Sequence, residues 1–235
     1  EENGSENIER YLKKYKKKFS CDGVVWEFGY VDQKNRPIIG LGMKGLLYVE
    51  LTAKESIRDV HSSFAVIIKN PAWKLVQALN TMRDKNGKIL IKGWHDDIVP
   101  LSKNDLKLIQ NEPFDSKGFK KEYGVKNFVG NKNSFDAKKS LVSGVTCNIA
   151  GISSGYTGDG AKTVLPGVAK VKIDFRLVPN MDPSKLIKLL KKHLHDNGFN
   201  DISINVLNAE AAARTNPSEK IVTTVCQSTK KIFGN

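Results

Sequence analysis

Apolar and polar residues alternate most regularly over 170–178, where Lys172, Asp174 and Arg176 separate Val171, Ile173, Phe175 and Leu177. A period of two with one apolar set predicts a strand buried on one face only. Ile202, Ile204 and Val206 repeat the pattern, and Gly45–Thr52 and Val145–Ile149 also read as strands. Elsewhere the period is helical. Asn70-Pro71 pairs an N-cap with Pro at the first helical position and precedes an apolar face of Ala72, Leu75, Val76 and Leu79. Asp182-Pro183 opens a second such helix with Leu186, Ile187, Leu190 and Leu194 inward, and Gly198 is its C′ residue. Near the N-terminus, Ile8, Leu12, Tyr15 and Phe19 predict a helix over 5–18 with a buried stripe, and 23–28 reads as a short buried strand. Asp84–Gly87 is a turn into a strand at 88–92, and Asn216-Pro217 opens a C-terminal helix. Residues 100–140 form a polar excursion with one predicted helix near 102–111.

The middle, 46–209, therefore reads strand–helix–strand, excursion, strand–strand–helix–strand. That order predicts an α+β domain, an antiparallel sheet with two helices on one face. The flanks, 1–45 and 210–235, are too small to fold alone and are assigned to a second domain into which the middle is inserted.

Composition narrows the classes of function. The formal charge of +13 raises nucleic-acid binding. The lysines are scattered, however, and the densest run, Lys13 to Lys18, lies on the predicted N-terminal helix and reads as its solvated face, without the aromatic interleaving that stacks bases. No nucleic-acid partner is expected. Apolar stretches fall short of the roughly 20 residues of a membrane span. Cys21, Cys147 and Cys226 are odd in number and far apart, which predicts buried thiols in a reducing, cytoplasmic setting.

Candidate chemistry begins with Glu1-Glu2-Asn3-Gly4-Ser5. Of two adjacent carboxylates before a flexible turn, one can hold a metal while the other moves protons. Glu27 ends an apolar strand, where an uncompensated carboxylate is costly, and Asp32, in a turn, is the fallback acid. Arg176 lies on the polar face of its strand, where an uncommitted side chain can receive substrate. Glycines at 155, 158 and 160 lack the Lys-Ser/Thr of a phosphate loop and read as a tight turn.

Taken in order, Glu1-Glu2-x-Gly4-Ser5, Glu27, Gly42-Met43-Lys44-Gly45-Leu46, Asp59-Val60-His61-Ser62, Asn70-Pro71, Gly93-Trp94-His95-Asp96-Asp97, 158–166 and Phe175–Asn180 resemble M20-family metallopeptidases. Carnosinase-like dipeptidases are nearest, with aminoacylases and succinyl-diaminopimelate desuccinylases as cousins. The resemblance implies an α+β lid domain inserted into an α/β zinc-peptidase-like catalytic domain that is incomplete here. It implies Glu1 as general base, Glu2 and Glu27 as metal ligands, and His61 reaching from the lid of one subunit into the other's active site as oxyanion donor. Arg176, Thr163 and Asn180 become substrate-binding residues, with Thr163 acting in trans like His61. His95, His193 and His195 are expected to be structural. Also implied are two divalent metal ions (zinc, with manganese or cobalt as alternatives), a homodimer through the lid, and a small peptide or N-acyl amino acid substrate. A His-x-Asp motif before Glu1 and a His after Asn235 would be needed to complete the site. The chain as it stands is thus expected to be an inactive fragment of a dipeptidase or amide hydrolase, with a non-catalytic dimerisation module, or a deacylase or desuccinylase, as the alternatives.

Overall fold

The computed structural model describes residues 7–26, 29–32 and 35–234. Two compact units account for them, Lys44–Ala213 and a smaller one from the two ends, up to Met43 and from Arg214 onward. In chain order the first elements are α1 (Ile8–Lys14), β1 (Tyr30–Val31), β2 (Pro37–Ile38) and β3 (Gly42–Met43). The larger unit follows with β4 (Gly45–Lys54), β5 (Val60–His61), α2 (Pro71–Met82), α3 (Lys103–Asn111), α4 (Ser116–Glu122) and α5 (Ser134–Ser143). It continues with β6 (Asn148–Ser154), β7 (Val164–Leu165), β8 (Val168–Leu177), α6 (Pro183–Asp196) and β9 (Ser203–Glu210). The last elements are β10 (Ala213–Arg214) and α7 (Lys220–Phe233).

Four strands of the larger unit form one antiparallel sheet in the order β6-β8-β4-β9. Directly opposed residues share a face, so Leu47 meets Phe175, Val49 meets Ile173 and Leu51 meets Val171, all fully buried. Leu75, Ala78 and Met82 of α2 and Leu186, Leu190 and Leu194 of α6 close over that face in one core. Each such leucine contributes about 2 kcal/mol by leaving water. Trp94 lies on Phe175, ring centroids 4.6 Å apart. The α2 face differs from expectation at Val76, which is half exposed, because Ala78 and Met82 continue the stripe from Leu75. The caps follow the sequence: Asn70 accepts from the Ala72 N–H, Asp182 from the Ser184 N–H, and Gly198 takes the left-handed conformation (φ 82°) after α6.

Both outer strands carry a bulge. On β6 the register shifts between Ile149 and Gly151, so Ile149 faces Ile173 and Ile152 faces Val171 although two residues lie between them. The bulge keeps both isoleucines on the helix-covered side, yet both remain exposed at the sheet margin.

The excursion holds three helices, not one. They are short and mostly polar, so periodicity is weak, but each has a local start. Ser102 and Asp105 form a reciprocal capping box on α3, and Asp115 and Asn133 cap α4 and α5. Buried Lys138 of α5 donates to the carbonyls of Ile109 and Glu112 at the end of α3 and lies 3.5 Å from the Glu112 carboxylate.

In the smaller unit, α1 is confined to Ile8–Lys14, and Ile8, Leu12 and Phe19 are exposed, so the expected stripe is not buried. Residues 23–26 form no strand, and Val24, Val25 and Trp26 are each at least 70% exposed. The strand expected at 88–92 reduces to a single bridge between Arg83 and Ile89. α7 starts at Lys220 because Asn216 instead caps a turn through the Ser218 N–H. The three thiols are free, but Cys21 and Cys226 are exposed. Cys147 alone is substantially buried, which pushes its pKa up to about 11.

Candidate functional site

Among the described residues, the candidates gather at two ends of β8. At one end β5 pairs with β7, placing His61 opposite Val164, and the Ser62 N–H donates to the Thr163 carbonyl at 3.4 Å. His61 and Thr163, far apart in sequence, are thereby neighbours, and both side chains are exposed. Asp59 secures this corner by accepting the Gly167 N–H at 2.9 Å. The His61 ring is oriented locally. Its Nδ1 accepts the Ser63 N–H at 3.2 Å and lies 2.8 Å from the Ser63 hydroxyl. With Nδ1 holding a lone pair, the neutral ring carries its proton on Nε2, which makes the outward nitrogen a donor.

At the other end stand Arg176 and Asn180. Arg176 is exposed, its Nε 4.0 Å from the Asp174 carboxylate, which in turn accepts from Asn148 Nδ2 at 2.7 Å. Its backbone N–H donates to Thr146 Oγ1 at 3.0 Å. Asn180 occupies the left-handed region (φ 72°) in a turn closed by Met181 N–H to Val178 O at 3.2 Å. Pro179 before it completes the residue pattern of a type II turn, a backbone reason for Asn at this place. Eight residue steps separate Val168 from Arg176, about 26 Å of strand.

Glu1, Glu2 and Glu27 lie outside the described residues. Among those described, no three His, Cys, Asp or Glu side chains come together to hold a metal ion, so they do not by themselves fit a metal centre. Asp32 accepts from the Arg36 N–H and from its guanidinium at 2.9 and 2.7 Å, a turn-closing role. The other histidines are His95, His193 and His195. His193 Nε2 is 2.9 Å from Thr81 Oγ1 and ties α6 to α2, and burial lowers its pKa. Burial, aided by the charge of Lys88, lowers that of His95. His195 is exposed beside Asp196, 3.6 Å away. No described helix is long and apolar enough to cross a membrane.

Sequence reasoning passed over Lys44. Half-buried at the entrance to β4, it donates to the carbonyls of Gly144 (2.7 Å) and Ser140 (3.2 Å). Burial, and secondarily the charge of Arg176, lower its pKa. Only its place inside Gly42-Met43-Lys44-Gly45 hinted at a role.

Residues 41–202, which carry β4, β6 and β8 of the helix-backed antiparallel sheet, match the peptidase dimerisation domain. The chain belongs to the M20 family of metallopeptidases. It is 30% identical to human beta-Ala-His dipeptidase over 203 residues, covering 83% of this chain and 39% of that protein. It is 27% identical to the Cys-Gly metallodipeptidase of Saccharomyces cerevisiae, covering 92% of this chain and 44% of that one. An M20 family metallo-carboxypeptidase from Sulfolobus solfataricus superposes with a TM-score of 0.91 at 39% identity, over 97% of this chain and 52% of that structure. The chain thus spans about half the length of the solved relatives, and less than half of the curated ones.

Proposed function

We propose that this chain is the lid, with part of the catalytic domain, of a metal-dependent dipeptidase that works as a homodimer. Residues 46–209 are the lid, and 1–45 and 210–235 belong to the catalytic domain around it. The observation that carries the reading is the separation along β8. A dipeptide reaches about 7 Å, far less than the span between the His61–Thr163 corner and Arg176, so the two groups cannot serve one substrate within one copy. Two copies related by a two-fold axis can each lend the corner to the other's site. The open edge of β6 supports such pairing, because its outer hydrogen-bonding groups and the exposed Ile149 and Ile152 offer a surface for a second chain.

In this reading Arg176 binds the substrate's terminal carboxylate, with Asn180 beside it. Glu1 takes a proton from the attacking water and returns it to the departing amine. His61 donates its Nε2 proton as a hydrogen bond to the oxyanion, and Thr163 adds a polar contact from the same subunit. Glu2 and Glu27 would be ligands of two divalent ions, zinc foremost, which when bound supply Lewis acidity.

The test is complementation in the full-length protein. Glu1→Ala and His61→Ala dimers should each be nearly inactive towards dipeptides. Mixed and re-equilibrated, they should recover about a quarter of wild-type activity, since half the dimers are hybrid and each hybrid holds one intact site. No recovery would overturn action in trans. A Glu1→Ala variant with full turnover would leave a dimerisation module without this catalysis. Cleavage of N-acyl amino acids in preference to dipeptides would move the assignment to the deacylase branch.

A further inference from the structure

We propose that Lys44 is a positioning residue for Arg176: by clamping the end of α5 it fixes the segment that grips the Arg176 backbone, and so sets the preference for substrates with a free carboxylate. This rests on the reading of Arg176 as the carboxylate-binding group. The clamp has clear geometry. Helix C-termini leave carbonyls unpaired and carry partial negative charge. The Lys44 ammonium meets the Gly144 carbonyl at the cap, and the Ser140 carbonyl that also accepts the Gly144 N–H, across about a hundred residues of sequence.

From Gly144 the chain runs directly to Arg176. Thr146 N–H donates to the Arg176 carbonyl at 3.3 Å, and Arg176 N–H returns a bond to the Thr146 hydroxyl. Two residues on, Asn148 holds the Asp174 carboxylate that faces the guanidinium. Backbone and side chain of Arg176 are therefore both set by residues 144–148, whose start Lys44 pins. On the far side, Leu46 of β4 lies opposite Arg176 in the ladder, so the clamp and the strand it serves share one rigid sheet. Lys138 extends the tie from α5 to the end of α3.

Charge gives the arrangement its direction. Among the described residues no carboxylate pairs with Lys44, and Arg176 has only Asp174, at the limit of an ion pair. Two cations and one carboxylate leave the site net positive and suited to an anion.

Full-length enzyme is assayed with a dipeptide and with the same dipeptide as its C-terminal amide. Lys44→Met should raise KM for the free acid about tenfold, the scale of one charge-assisted hydrogen bond. Its kcat, and cleavage of the amide, should barely change, and Lys44→Arg should retain the preference. Thr146→Val, which breaks the same chain at an exposed position, should reproduce the selective loss even if Lys44→Met folds poorly. Adding Lys44→Met to Arg176→Ala should cost nothing further in KM. Equal losses for acid and amide, or none, in both Lys44→Met and Thr146→Val would overturn the inference while leaving Arg176 in its role. If Arg176→Ala itself does not separate acid from amide, the underlying reading fails as well.

Discussion

Between α2, α6 and the sheet, the buried residues are aliphatic and aromatic almost without exception, from Leu47 and Phe175 to Leu190 and Leu194. In the excursion from Lys103 to Ser143 the buried residues are few, and two of them, Asp105 and Lys138, are charged. Apolar area holds the first region, and it needs no particular partner at any one atom. Helix-end chemistry holds the second, where carboxylates and amides sit at the starts of α3, α4 and α5 and ammonium groups at the ends of α3 and α5. Apolar burial tolerates local error, whereas a helix-end clamp works through a few specific atoms, so the two regions should fail differently when cut.

The contrast can be broken most forcefully from the core side. Leu190→Ala, at a fully buried position in α6, should cost about 3 kcal/mol and lower the midpoint of the whole transition in a urea melt. Lys138→Met should cost less, about 1–2 kcal/mol, because it strands the carbonyls of Ile109 and Glu112. Its signature is local: hydrogen exchange should quicken in α3 and α5 while amides of β4 and β8 stay protected. Global loss of protection in that variant would erase the distinction between the regions.

The smallest effect is the pH response of the His193–Thr81 tie between α6 and α2. Burial holds the His193 pKa below its ordinary 6.5, so the folded ring is neutral where the unfolded one begins to take up a proton. The contribution of His193 is therefore complete above pH 6.5 and is lost as pH falls towards the folded pKa. His193→Gln should flatten that decline in thermal melts relative to wild type, with His95, shifted in the same direction, accounting for the slope that remains.

How much of this was readable from the sequence depended on whether a signal is local. The alternation on β8, the leucines of α6 and the caps at Asn70 and Asp182 are written within a few residues, and each element formed close to where it was expected. The exposed apolar faces at Ile8, Leu12 and Val24–Trp26 mark the limit of periodicity, which tells what a segment is suited to bury and not what it packs against. The helices α4 and α5 escaped because polar composition hides a short helix whose support is its caps. For the site, residue types and motif order name His61, Thr163 and Arg176 as candidates. Their division between two ends of one strand, about 26 Å apart, was not visible, since it follows from pairings between segments roughly a hundred residues apart. Lys44 was missed for the same reason: a lysine among glycines reads as solvated until its acceptors at Ser140 and Gly144 come into view.

The extra residue in β6 has a consequence for heredity. Ile149 and Ile152 share a side only because the bulge absorbs one position of the alternation. Loss of the codon for Ala150 would remove the bulge and leave a strictly alternating strand, with Ile149 and Ile152 still on one side and Asn148 still opposite Asp174. Loss of one codon inside β8, which carries no extra residue in its pairing with β4, would instead turn one part of that strand over relative to the other. The spare position lets this outer strand absorb a change of length that the strand beside it cannot.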